Sequence, residues 1–212
     1  MDRHTLISPD TGREAVVHGD SESRSAVVLC HEVFGLTDAL GRLAETLCYA
    51  TGATVYAPHL LLTDPYAPSE ETAAYGRFMA TLGPTGLSQR LLDYTERRRA
   101  DHDRIYCLGL SVGATAAWIA SADQRFDAVV PVYGSRIRDH TDVRPTCRVH
   151  AVFAEHEPSF DPNDLARRLR AIDNVTVEVL RHHHGFCSPD SPHFSQEGLD
   201  TIIGIARELF RN

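Results

Sequence analysis

Six short, nearly continuous apolar runs, rich in branched residues and separated by helix-forming stretches, constrain this chain's fold more than any other feature. They are residues 26–30 (AVVLC), 54–57 (TVYA), 105–108 (IYCL), 128–132 (AVVPV), 148–154 (RVHAVFA) and 175–180 (VTVEVL). A strand exposed on one face alternates apolar and polar residues; a run without alternation predicts a strand covered on both faces, as in a parallel sheet. Between the runs, 38–49 spaces Leu40, Leu43, Leu47 and Cys48 at helical intervals, with Gly52 as a stop. Residues 58–68 read as a loop, and 70–82 and 87–99 as two helices parted by Gly83-Pro84. The stretch 114–120 predicts a small-residue helix suited to close packing, and 164–172 and 196–210 two further helices. The expected fold is α/β: one domain over residues 1–212, with a doubly wound, mostly parallel sheet, helices on both faces and no large lid.

Composition narrows the function. The 212 residues suffice for one substantial core. A net charge of -8 opposes binding to a polyanion, since nucleic-acid affinity comes largely from cationic side chains neutralising phosphates. The densest basic run, Arg97-Arg98-Arg99, is flanked by Glu96 and Asp101 and reads as a solvated helix end. Five scattered cysteines with no CxxC pair do not form a disulfide framework. No apolar run reaches the roughly 18 residues of a membrane span, and the N-terminus leads into no apolar signal region. The cytoplasm is the expected location, with no membrane or nucleic-acid partner; a homodimer is left open.

In such sheets reactive groups collect in loops at the carboxyl ends of strands. Ser111 lies in Gly109-Leu110-Ser111-Val112-Gly113, directly after one predicted strand and before a predicted helix. That context makes G-x-S-x-G a nucleophile elbow: the flanking glycines relieve crowding in a sharp turn, so the hydroxyl stands clear. A serine needs a base, itself oriented by an acid, and in this fold class the chain order is Ser, Asp or Glu, His. Glu157 is favoured as the acid over Glu155 and Asp161. His184, preceding Gly185-Phe186, is favoured as the base over His182, His183 and His193. Three consecutive histidines point in different directions, so neither metal nor cofactor is expected. His31-Glu32 does not begin a zinc-protease H-E-x-x-H, because position 35 is glycine.

His31-Glu32-Val33-Phe34-Gly35, the Ser111 elbow, Glu157-Pro158 and His184-Gly185-Phe186, in this order and spacing, resemble the dienelactone hydrolase family of α/β-hydrolases, from about residue 12 onward. The resemblance implies that Glu32 lies beside the nucleophile and that the N–H groups of Val33 and Val112 form an oxyanion hole. It also implies a cysteine nucleophile and an aspartate, where this chain has Ser111 and Glu157. The family holds a substrate carboxylate with arginines, one shortly after the histidine; Cys187-Ser188-Pro189-Asp190 has none, leaving Arg77 as the candidate substrate-binding residue. The expected function is a serine hydrolase cleaving a small-molecule ester or lactone through an acyl-enzyme. Alternatives are a degenerate member that binds a small ligand with little turnover, and a thiol enzyme using Cys30 or Cys187.

Overall fold

A computed structural model describes residues 2–7, 14–19, 22–61 and 65–210. Eight strands form one sheet: β1 (Asp2–Ile7), β2 (Glu14–Gly19), β3 (Ser25–Cys30), β4 (Thr54–Pro58), β5 (Arg104–Leu110), β6 (Ala128–Val132), β7 (Arg148–His156) and β8 (Val175–His183). Their order is β1-β2-β4-β3-β5-β6-β7-β8. Pairing is parallel from β4 to β8, while β1 with β2 and β2 with β4 are antiparallel. Among the described residues six α-helices accompany them: α1 (Asp38–Thr51), α2 (Glu71–Thr81), α3 (Gly83–Arg98), α4 (Val112–Ala120), α5 (Pro162–Leu169) and α6 (Gln196–Leu209).

The six predicted strands form the parallel body of the sheet. Side chains alternate across it and make two cores. Val28, Cys30, Ile105 and Cys107 pack with Leu87, Leu91 and Trp118 of α3 and α4. Val27, Leu29, Tyr106 and Leu108 pack with Leu43 and Leu47 of α1 and Ile202 of α6. Both faces are thus covered, which explains why the central strands carry no polar alternation.

Three boundaries differ from the sequence expectation. The antiparallel pair β1 and β2 precedes the first apolar run and lengthens the sheet beyond β4, with β1 at its edge. Gly83-Pro84 does not break the helical region so much as start α3: Gly83 adopts φ +63° and Pro84 occupies the first turn, where its missing N–H costs nothing. Strands β7 and β8 run past their apolar stretches, and His156 pairs with His183 beyond an irregularity at residues 154–156. Of the loop read over 58–68, residues 62–64 lie outside the described residues. No helix of the described residues is long and apolar enough to cross a membrane.

The closest backbone approach lies at the start of α4. A Cβ on Gly113 would stand 2.4 Å from the Cys30 carbonyl oxygen and 2.5 Å from that of His31, and one on Gly109 would stand 2.4 Å from the Gly113 oxygen. Neither backbone neighbour is a flexible side-chain tip, so Gly113→Ala has to push β3 and α4 apart. Overpacking of this kind costs about 3 kcal/mol, equivalent to a Tm lower by roughly 6 to 12 °C. In α2, a Cβ on exposed Gly76 meets nothing within 4 Å. Thermal denaturation should therefore show the opposite sign for Gly76→Ala, a gain of about 0.5 to 1 kcal/mol.

Candidate active site

The strand ends dictate the site. Ser111 is the first residue after β5, Glu157 the first after β7 and His184 the first after β8, so three residues far apart in sequence share the carboxyl edge of the sheet. Side-by-side ends of β7 and β8 make Glu157 and His184 neighbours. The Ser111 Oγ lies 3.0 Å from His184 Nε2. His184 Nδ1 lies 2.9 and 3.1 Å from the two carboxylate oxygens of Glu157. A carboxylate at Nδ1 places the imidazole proton there, leaving Nε2 to accept from the serine hydroxyl.

Ser111 adopts φ 52° and ψ -111°, a conformation that L side chains rarely hold and that costs about 1 to 3 kcal/mol. The surroundings enforce it: Ser111 N–H donates to the Val132 carbonyl of β6 at 3.0 Å, and its own carbonyl accepts the first α4 bond from Thr115 at 3.1 Å. Val112 N–H, at the first position of α4, has no acceptor within the helix. Among the described residues Val33 N–H also has no backbone acceptor. Both valines border the same cleft as Ser111 and His184.

His184 is two-thirds or more buried, with 29% of its side chain exposed, while the Glu157 side chain is 1% exposed. Burial by itself lowers the imidazole pKa, but the hydrogen bond and charge of Glu157, with the charges of Glu32 and Glu71, outweigh it and hold His184 above its ordinary value. Glu32 borders the same cleft and acts on the histidine through its charge. Burial raises its carboxyl, opposed by the His184 charge and by hydrogen bonds from Ser188 and Tyr133.

Tyr133 escaped the sequence reading. It follows β6 directly, at the same edge, and adopts φ +43°, which is strained for an aromatic residue. Its ring sits 4.9 Å from the His184 ring and 5.4 Å from that of Phe186, and its hydroxyl lies 3.3 Å from Cys187 Sγ. Position after an apolar strand was the one available signal. Arg136 and Arg138, on a short 3₁₀ turn (Ser135–Asp139), also border the cleft. Arg136 Nε donates to Tyr75 Oη of α2 at 2.8 Å.

The remaining candidates separate clearly. Asp161 caps α5, accepting from Asn163 N–H at 2.9 Å and Asp164 N–H at 3.3 Å. Glu155 is exposed at the cleft rim. His182 stacks on Phe186, and His183 stacks with His193 and against His156. The triplet therefore points its rings to three different places. Burial pushes the thiols of Cys30 and Cys187 up to about 12, leaving them protonated and unreactive.

Arg77 is not brought into the cleft. Helix α2 presents Glu71 and Tyr75, one turn apart, to the cleft. Arg77 lies two residues beyond Tyr75, about 200° around the helix, and borders a separate small hollow with Val33, Leu61 and Phe78. Among the described residues the arginines that border the cleft are Arg136 and Arg138 instead. The cleft measures about 1150 Å³.

Known proteins share this architecture. The model of the dienelactone hydrolase family matches residues 14–201. An uncharacterized protein of Bacillus subtilis (strain 168), YczH, is 34% identical over 185 residues, covering 85% of this chain and 90% of that one. A structure from Klebsiella pneumoniae, provisionally described as a dienelactone hydrolase, superposes with a TM-score of 0.79 at 16% identity, over 99% of this chain and 98% of the other. A protein of Xanthomonas campestris described as an α/β serine hydrolase without lid superposes with a TM-score of 0.68 at 18% identity, over 99% and 93%. On the family match and its agreement with the fold, the chain belongs to the dienelactone hydrolase family and is a hydrolase acting on ester bonds.

Proposed function

We propose that the protein is a serine hydrolase of the cytoplasm that cleaves a small ester or lactone through an acyl-enzyme on Ser111. The observation that carries this reading is the unbroken hydrogen-bond chain from Ser111 Oγ through His184 to buried Glu157. A serine hydroxyl is a poor nucleophile unless a base removes its proton as it attacks. His184 Nε2 is within reach to do so, and Glu157 holds the ring in the required tautomer and stabilises the imidazolium.

Ser111 Oγ attacks the ester carbonyl and its proton passes to Nε2. The N–H groups of Val33 and Val112 receive the negative oxygen of the tetrahedral intermediate. The imidazolium then protonates the departing alkoxide, which leaves as alcohol, or stays tethered when the substrate is a lactone. Water, deprotonated by His184, attacks the acyl-enzyme and releases the acid. Donors aimed at the oxyanion contribute most to such a reaction, about 3 to 4 kcal/mol for a single side-chain donor in other enzymes.

The sign of the pH dependence follows from the environment of His184. Neutral imidazole is the active base, and its pKa is raised, so kcat/KM should rise through a midpoint above the ordinary histidine value of about 6.5. Glu157→Gln removes the largest raising influence and leaves the burial that lowers the pKa. Its midpoint should fall below that of the wild type, with kcat down by about 10³- to 10⁴-fold. Hydrolysis of p-nitrophenyl acetate between pH 5 and 9 checks both; a profile flat over that range, or a midpoint unmoved by Glu157→Gln, contradicts the assignment. The same ester should also give a pre-steady-state burst of nitrophenol equal to the enzyme concentration if deacylation is the slower step, and Ser111→Ala should abolish burst and turnover together.

A further inference from the structure

His31 is fully buried at the head of the segment joining β3 to α1. It does not border the cleft, and the mechanism above does not use it. Its ring nevertheless bonds to backbone on both sides. Nε2 accepts from Leu60 N–H, just after β4, at 3.2 Å. An amide only donates, so Nε2 is unprotonated and Nδ1 carries the proton. That Nδ1–H donates to the Glu32 carbonyl oxygen at 2.8 Å.

The Glu32 carbonyl belongs to the same peptide unit as the Val33 N–H. In a trans peptide, C=O and N–H lie in one plane and point to opposite sides, so anchoring the oxygen aims the N–H. Gly35 N–H donates to the same oxygen at 3.2 Å, which pins it a second time. We propose that His31 is a positioning residue for the oxyanion hole: it fixes the Glu32–Val33 peptide plane so that Val33 N–H faces the carbonyl attacked by Ser111. The inference rests on the acyl-transfer reading given above.

Two features of the surroundings favour this role. The chain from Leu60 N–H through His31 to the Glu32 carbonyl is a run of consecutive hydrogen bonds, each of which polarises the next, and polarising a carbonyl strengthens the donor at the other end of its peptide. Burial, with the nearby His59, pushes the imidazole down to about 4 against the hydrogen bond to Glu32, so it keeps one donor and one acceptor throughout the working range. A histidine whose function was only to tie two loops together would need the Leu60 contact; the bond to Glu32 is the half that bears on catalysis.

The two halves can be separated. In His31→Gln the side-chain oxygen can replace Nε2 toward Leu60 but the donor to Glu32 is lost. In His31→Asn the amide nitrogen can replace Nδ1 toward Glu32 but the acceptor for Leu60 is lost. Hydrolysis of p-nitrophenyl acetate, inhibition by a trifluoromethyl ketone and thermal unfolding are measured for the wild type, both variants and Ser111→Ala. The ketone's adduct with the serine carries an oxyanion, so its affinity reports on the hole directly.

His31→Gln should lower kcat about 10- to 100-fold with KM within about threefold, and should weaken the ketone by the same factor as kcat/KM. His31→Asn should recover most of both, even where its Tm is lower. Unchanged kcat in folded His31→Gln, or losses that follow Tm alike in both variants without a matching change in ketone affinity, would overturn the proposal. Wild-type turnover no greater than that of Ser111→Ala would instead remove the oxyanion hole itself, and the positioning role with it.

Discussion

The serine backbone at φ 52° is the constraint to which the rest of the site is fitted. It cannot relax alone, because the Ser111 amide is bonded to β6 and its carbonyl to α4, and Gly109 and Gly113 sit where no Cβ has room. Relaxation would have to move β3, β5, β6 and α4 together, and those elements are almost wholly buried. The same crowding brings the Cys30 and His31 carbonyls onto Gly113, so the segment carrying Val33 is pressed against the helix start carrying Val112. One close backbone contact thus sets the serine and both candidate oxyanion donors.

Around that fixed point the electrostatics are asymmetric. Two carboxylates act on His184: Glu157, which bonds it directly, and Glu32, which acts on it through charge and is itself held by Tyr133 and Ser188. Burial disfavours the imidazolium and the carboxylates favour it. The carboxylates win, which stabilises the charge that histidine acquires during acyl transfer. A buried carboxylate beside a thiol can assist its ionisation; beside a serine hydroxyl, which loses a proton far less readily, Glu32 is better placed to act on the histidine.

Much of this was legible in the residues, for identifiable reasons. The central strands announce themselves because both faces are buried, and the serine, glutamate and histidine follow from their order relative to those strands. The boundaries are less legible. Apolar patterning in β8 ends at Leu180, yet pairing continues to His183, because the half-exposed edge of the sheet tolerates Arg181 and His182. Edge strand β1 and its neighbour β2 carry too little apolar continuity to stand out. Arg77 illustrates another limit: helix register decides which side chain meets the cleft, and Tyr75 faces it where Arg77 does not. Tyr133 and the bond of His31 to Leu60 depend on contacts with residues distant in sequence, which no local pattern encodes.

Reaction with a fluorophosphonate tests the central claim, that Ser111 is an activated nucleophile, most directly, because the reagent phosphonylates activated serines and leaves ordinary ones unmodified. Intact mass after treatment should show one adduct per wild-type chain and none on Ser111→Ala. A folded wild type that stays unmodified, or an adduct that persists in Ser111→Ala, would contradict the account.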